Sequence, residues 1–257
     1  YFSVSGKDSS AEFARDKLQE WGVKAEVFED ESRPTTLKQR FRASGKTLLR
    51  VSHLRQHDIS HQIMSAFVTA VKTALQNSDL VIFSDFNYGC LPQPLVEEIS
   101  EVCRQKNILM VADSQSSSQV GDVSRFKDML LLTPTEREAR LAVRDFNSGL
   151  VVLAEKLRIK ACSENIILTL DSEGMIAHAA SKDDGAWHTD RLPAFNTAPK
   201  DSSGAGDSLL ACCSMAMAVG ADIWKSMYLG SIAAACQVSR VGNTPLSPRD
   251  IRLELAD

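Results

Sequence analysis

Short apolar runs alternate with helix-like stretches along this chain, and that alternation limits the fold more than any other feature. The runs DLVIFSDF (79–86), ILMVAD (108–113) and MLLLTP (129–134) have the length and apolarity of strands buried on both faces. Helical spacing lies between and around them, in ISHQIMSAFVTAVKTALQ, LPQPLVEEISEVCRQKN and TEREARLAV. NIILTLDSEGMIAHAA (165–180) reads as strand, turn and strand. Parallel strands need long crossover connections, which helices supply. The chain therefore reads as α/β, with a mostly parallel sheet flanked by helices on both faces.

The remaining segments fit around that sheet. DSSAEFARDKLQEWG (8–22) is an amphipathic helix that Asp8, Ser9 or Ser10 caps and Gly22 ends, and KAEVFE comes after it as a strand. TTLKQRFRASGKTLLRVSHL is a hairpin with Ser44 and Gly45 at its turn. Two apolar helices are predicted around 205–219 and 222–238, then a short helix in LSPRDIRLELAD. A chain of 257 residues, 44% hydrophobic, is long enough for one large domain or two small ones.

Composition excludes several classes. A net charge of -4 without a basic run argues against nucleic acid as a partner. No apolar stretch reaches about 18 residues, so no membrane partner or span is expected. YFSVSGKDSS lacks the basic and apolar regions of a signal peptide. The six cysteines form no CxxC pair, and reduced, mostly buried thiols in a cytoplasmic protein are the expectation. His53, His57 and His61 are spaced i, i+4, i+8, but with no fixed acidic or cysteine partner they read as solvated surface residues. Nothing resembles a nucleophile elbow.

In open α/β sheets ligands bind beyond the carboxyl ends of the strands. That points to Ser84, Asp85, Asp113, Thr133 to Glu138, Asp171, and Asp201 to Asp207. The last group lies in APKDSSGAGDSLLACCSMAMAVG (198–220), polar and glycine-rich before Asp207 and apolar after it. A helix start offers unpaired N–H groups and a positive dipole end, and glycine there lets a phosphate approach the backbone. A carboxylate beside that anion is unfavourable for binding alone. It makes sense as the base that takes a proton from an attacking hydroxyl. On spacing alone, a plain helix start capped by Asp201 or Ser202 also stands.

DSSGAGD fits the D-[ST]-x-G-A-G-D signature of ribokinase-like (PfkB-type) carbohydrate kinases at every defined position. A chance match is on the order of one in ten million per position at average residue usage, which decides against the plain helix start. The chain resembles that family over most of its length. RPTTLKQRF (33–41), FSDFNYG (83–89) and LLLTPTEREARLA (130–142) look most like the kinase domain of heptose-phosphate kinases of the ADP-heptose pathway. The resemblance implies a ribokinase-like fold and ATP-dependent phosphorylation of a sugar or sugar-phosphate hydroxyl. It implies Asp207 as general base and Gly204, Ala205 and Gly206 as the anion hole. Glu138 corresponds to the acid that holds hydrated Mg2+. Thr169, Asp171, Gly174, Ser203, Gly204 and Gly206 fall where nucleotide is bound. The hairpin, about 33–53, corresponds to a lid over the sugar, with Lys38, Arg40, Asp85 and Asp207 toward the substrate. Asp201 lies near the usual loop for a monovalent cation such as K+. A homodimer is a further expectation.

The chain departs from the pattern in places. Thr135 replaces the asparagine of T-P-N-x-x-E, Tyr88 replaces a lysine, ADSQSSSQ (112–119) replaces an Asp-Pro-Lys, and Asp171 replaces a glycine. Family members usually begin with a strand bearing a substrate-binding aspartate and a Gly-Gly-x-x-x-Asn segment. Residues 1–23 already resemble a later stretch of the family pattern, so the expectation is one domain over 1–257 lacking about its first quarter. A kinase for another small sugar or alcohol, and a non-catalytic nucleotide- or sugar-binding relative, are the alternatives. On the hairpin, Lys38, Arg40 and Arg50 suit capture of a phosphorylated sugar, or equally the protection of an edge strand by charge.

Overall fold

The computed structural model describes residues 1–43, 46–116, 121–180 and 186–255. They form two compact units, residues 1–77 with 87–102, and residues 78–86 with 103–257.

The first unit holds β1 (Phe2–Ser5), α1 (Ser9–Glu20), β2 (Glu26–Glu29), β3 (Leu37–Ala43), β4 (Lys46–His53) and α2 (His61–Ala74). The Asp8 carboxylate caps α1 by accepting the Ala11 N–H at 2.9 Å, and Gly22, at φ +68°, turns the chain after it. β1 and β2 pair in parallel, Phe2 opposite Glu26 and Ser5 opposite Glu29. α2 covers this pair because Phe67, Val71 and Leu75, spaced by four, share one face and are buried. The Phe67 ring packs on Phe2 and Phe28 with centroids 6.0 and 5.2 Å away. β3 and β4 form an antiparallel hairpin. Its expected turn residues, Ser44 and Gly45, lie outside the described residues, as do Ser117 to Gln119.

The second unit is built on a six-stranded sheet. Its elements are β5 (Leu80–Asp85), β6 (Leu109–Ser114), β7 (Leu131–Leu132), α4 (Glu136–Val143), α5 (Leu150–Ala161), β8 (Asn165–Thr169), β9 (Met175–Ala180), β10 (Trp187–Leu192), α6 (Ala205–Ala218), α7 (Ile223–Val238) and α8 (Pro248–Glu254). The helix α3 (Gln93–Lys106) joins the two units along the chain. The strand order is β10-β9-β8-β7-β6-β5, parallel from β5 to β8 and antiparallel through β9 and β10. One face buries Val111, Leu131, Ile167 and Ala177 against Leu209 and Cys213 of α6 and Met227 of α7. Gly230 lets α6 and α7 close, because a β-carbon there would lie 2.3 Å from Cys213 Sγ. The other face carries α5, whose Leu153, Leu157 and Ala161 are fully buried.

Sequence reading passes over β1, α5 and β10. β1 is four residues long, β10 is a largely exposed edge strand, and α5 is apolar around much of its circumference. Among the cysteines, Cys103, Cys213 and Cys236 are buried, whereas Cys162 is exposed and Cys90 and Cys212 are half-buried. Burial pushes the Cys103 and Cys213 thiols up to about 11 and about 12, so both stay protonated and inert. No described helix is long and apolar enough to cross a membrane.

Candidate active site

The segment DSSGAGD folds as a loop that delivers an open helix end. Asp201 spends its carboxylate on the loop: Oδ1 accepts the Ser203 N–H at 3.1 Å and the Ser203 hydroxyl at 2.8 Å, and Oδ2 accepts the Gly242 N–H at 3.2 Å. Neither Asp201 nor Ser202 caps the helix. Gly204 occupies the cap position at φ +80°, with no side-chain cap. Ala205, Gly206 and Asp207 then form the first turn of α6, and a β-carbon on Gly206 would meet nothing within 4 Å. The positive φ that only glycine adopts readily is at Gly204. Valine at Gly206 therefore meets no positive-φ strain.

Four carboxylates gather in this unit, each at a place the topology dictates. Asp85 ends β5, Asp113 stands one residue before the end of β6, Glu138 lies in the first turn of α4 after β7, and Asp207 lies in the first turn of α6. Asp113 registers the convergence. Its burial, and then the charges of Glu138, Asp207 and Asp85, raise its carboxyl well above the usual carboxylate range. The role of Asp113 escapes sequence reading, which marks it only as a polar residue after a strand.

Glu138 is buried and held by three donors. Its Oε2 accepts the Thr135 N–H at 2.9 Å and the Thr135 hydroxyl at 2.8 Å, while Oε1 accepts the Ser116 N–H at 2.6 Å. Thr135 in turn caps α4, so the pair is a reciprocal capping box. Asp85 is 3% exposed; its Oδ2 pairs with Arg125 at 2.8 Å and accepts the Ser114 hydroxyl at 3.4 Å. The donor set suits a hydrated rather than a bare divalent ion. Among the described residues no three histidine, cysteine or acidic side chains form a chelating cluster. The buried Thr133 hydroxyl, two residues before Thr135, has no protein partner, as expected where water is held.

The other expected residues have these places. The Thr169 N–H donates to Pro134 O at 3.0 Å, which ties the end of β8 to the approach of α4. Asp171 is exposed at φ +50°. Gly174 is a glycine because its φ is +93° and a β-carbon would lie 2.1 Å from Leu192 O. Lys38 and Arg40 belong to the first unit. They share one face of the hairpin with Arg50, which stands opposite Arg40. The Lys38 ammonium sits 5.1 Å from the centre of the Tyr88 ring, so the tyrosine that replaces a lysine here is a cation-π partner. Arg33, in the R-P-T motif, is buried and bonds Asp30, Tyr88 O and His57 O. His53, His57 and His61 are all exposed, and His57 Nε2 lies 2.8 Å from the Ser32 hydroxyl. The first unit also carries a cleft of about 340 Å³ whose lining includes Lys7, Asp8, Glu31, Ser32, Arg33 and Arg55.

Residues 1–250 match the profile described as pfkB family carbohydrate kinase. The chain belongs to the pfkB family. Its curated relatives include the bifunctional protein HldE of Desulfatibacillum aliphaticivorans, 27% identical over 259 residues, covering 99% of this chain and 51% of that protein. The HldE of Helicobacter hepaticus is 28% identical over 260 residues, covering 96% of this chain and 50% of that protein. The chain thus spans about half the length of the curated relatives it matches. Among solved structures, phosphofructokinase-2 from Escherichia coli in complex with potassium superposes with a TM-score of 0.78 at 14% identity, over 99% of this chain and 80% of that one. Ribokinase from Giardia lamblia gives 0.77 at 18% identity, over 99% and 82%. The pfkB-family chain has a ribokinase-like α/β fold.

Proposed function

We propose that this chain transfers the terminal phosphoryl group of ATP to a hydroxyl of a sugar or sugar phosphate, with Asp207 as general base. The observation that carries this is the uncapped start of α6, which sets Gly204, Ala205 and Gly206 beside a carboxylate in the same turn. Backbone N–H groups and the helix dipole there stabilise an anion. Asp207 takes the proton of the attacking hydroxyl as the oxygen–phosphorus bond forms. In this reading Glu138, which Thr135 and Ser116 hold in place, would hold water of a hydrated Mg2+, whose charge would offset that of the phosphates. Ser203 helps shape the phosphate loop, and Thr169, Asp171 and Gly174 border the nucleotide. Asp85, in the same unit as Asp207, is assigned to the substrate side. RPTTLKQRF and the HldE relatives favour a heptose phosphate over other small sugars or alcohols as acceptor. Free thiols fit a cytoplasmic setting.

We also propose a homodimer through the hairpin. Cross-strand pairing puts Leu37, Phe41 and Leu49 on the face opposite Lys38 and Arg40, with Phe41 52% and Leu49 55% exposed. A two-stranded ribbon is marginal alone, and a second copy covers that face symmetrically.

Asp207→Asn tests the base. ADP release with a panel of sugars that includes a heptose phosphate should fall by about 10²–10⁴-fold, with ATP affinity retained. Near-normal turnover removes Asp207 from that role.

A further inference from the structure

The oxygens around the Asp201 loop, where the resemblance implies a monovalent cation, already accept N–H and O–H donors of the chain. We propose that the side-chain amide of Gln237 replaces that cation, so that the loop opening α6 is held in place without potassium. This rests on α6 as the phosphate site.

Gln237 lies near the end of α7 and is 1% exposed. Its Nε2 points at three oxygens at once: Asn243 Oδ1 at 3.2 Å, Ser203 O at 3.4 Å and Gly242 O at 3.5 Å. These distances exceed the usual ~2.9–3.0 Å of a single N–H···O bond, as expected for two hydrogens shared among three acceptors. Three oxygens turned toward one partly buried point repel each other and are stabilised by a positive centre. A cation is one solution, and an N–H group is another. Here the nitrogen already occupies that point, and an ion cannot share it.

The carboxylate beside the triad is satisfied in the same way. Asp201 accepts from Ser203 N–H, the Ser203 hydroxyl and Gly242 N–H. These charge-assisted bonds do locally what a bound cation does by its field. The Lys200 and Asp201 N–H groups both donate to Val238 O, at 2.8 and 3.3 Å, which fixes the loop to the end of α7. The network reaches the phosphate turn directly. A β-carbon on Gly204 would lie 2.2 Å from Asn243 Oδ1, the oxygen that Gln237 holds. Gln237 is thus a positioning residue, acting on Gly204 through Ser203 and Asn243.

The test compares thermal melts of the full chain in potassium chloride and in tetramethylammonium chloride at equal ionic strength. The wild-type midpoint should agree within about 1 °C between the two, since an ion that binds only the folded state raises the midpoint by mass action. Gln237→Ala should melt lower in tetramethylammonium and recover part of the loss, saturably, in potassium, because the three oxygens are then open to an ion. A saturable rise of the wild-type midpoint with potassium overturns the proposal. So does an alanine variant that matches wild type in both salts. If the alanine variant does not fold, the wild-type comparison decides alone. ATP affinity measured alongside keeps the two readings apart: a chain that binds no ATP in either salt refutes the kinase reading, while the melts still report on the cation.

Discussion

Asp113 is the side chain whose ionisation this fold resists most clearly. It is buried at the end of β6, and Glu138, Asp207 and Asp85 add like charge. Its folded pKa is therefore above the unfolded value of about 3.9. Its contribution to stability is fully present below the unfolded pKa and is lost as pH rises toward and through the folded pKa, because the unfolded chain ionises freely there. Asp113→Asn keeps the shape and never ionises. Relative to wild type it should gain stability as pH rises from about 4 to 8, with little difference at the acid end. Urea midpoints of both proteins across that range, with a chelator present, check this; parallel pH profiles would show that Asp113 ionises as freely folded as unfolded. This cluster also shows the reach of residue-level reading. A signature motif announces Asp207, but Asp113 gains its meaning only from three carboxylates that lie far from it in sequence.

At the scale of elements, α4 shows how a departure from a motif is accommodated. Thr135 stands where a family asparagine is usual, and its hydroxyl both accepts the Glu138 N–H at 3.2 Å and donates to Glu138 Oε2 at 2.8 Å. The substitution therefore keeps Glu138 fixed. Thr135→Ala should lower stability by about 1 kcal/mol, the usual cost of a lost helix cap, whereas Thr135→Asn should restore most of it. Denaturant unfolding of the two variants distinguishes a cap from a passive loop residue, for which alanine and asparagine would behave alike. Elements with one clean stripe, such as α2 with Phe67, Val71 and Leu75, are legible in sequence. α5 is not, because Val151, Val152 and Ile159 are exposed beside the buried Leu153 and Leu157, which blurs its period.

At the scale of the whole molecule, the hairpin has one exposed apolar face. Leu37, Phe41 and Leu49 form an apolar strip on a two-stranded ribbon. Phe41→Ser combined with Leu49→Ser should convert a dimer to a monomer in sedimentation velocity. A wild-type chain that sediments as a monomer at all concentrations tested excludes the dimer. The same ribbon carries Lys38, Arg40 and Arg50 on its other face, because side chains alternate along a strand.

The sequence by itself determined the α/β class, the parallel run of strands and the glycine-opened helix start at Gly204 to Asp207. Each depends on local rules: continuous apolar runs, helix spacing, and glycine where the backbone takes a positive φ. It also determined membership of a kinase family, because a dense short signature is itself local. Only the tertiary structure decided that Asp201 serves the loop rather than the helix cap, that Gly174 answers to the backbone of Leu192, and that Asp113 sits among three other acids. It also brought the Gln237 amide to oxygens of residues 203, 242 and 243. Those contacts join segments up to dozens of residues apart, and their energies come from desolvation and charge at close range, which no local pattern in the chain encodes.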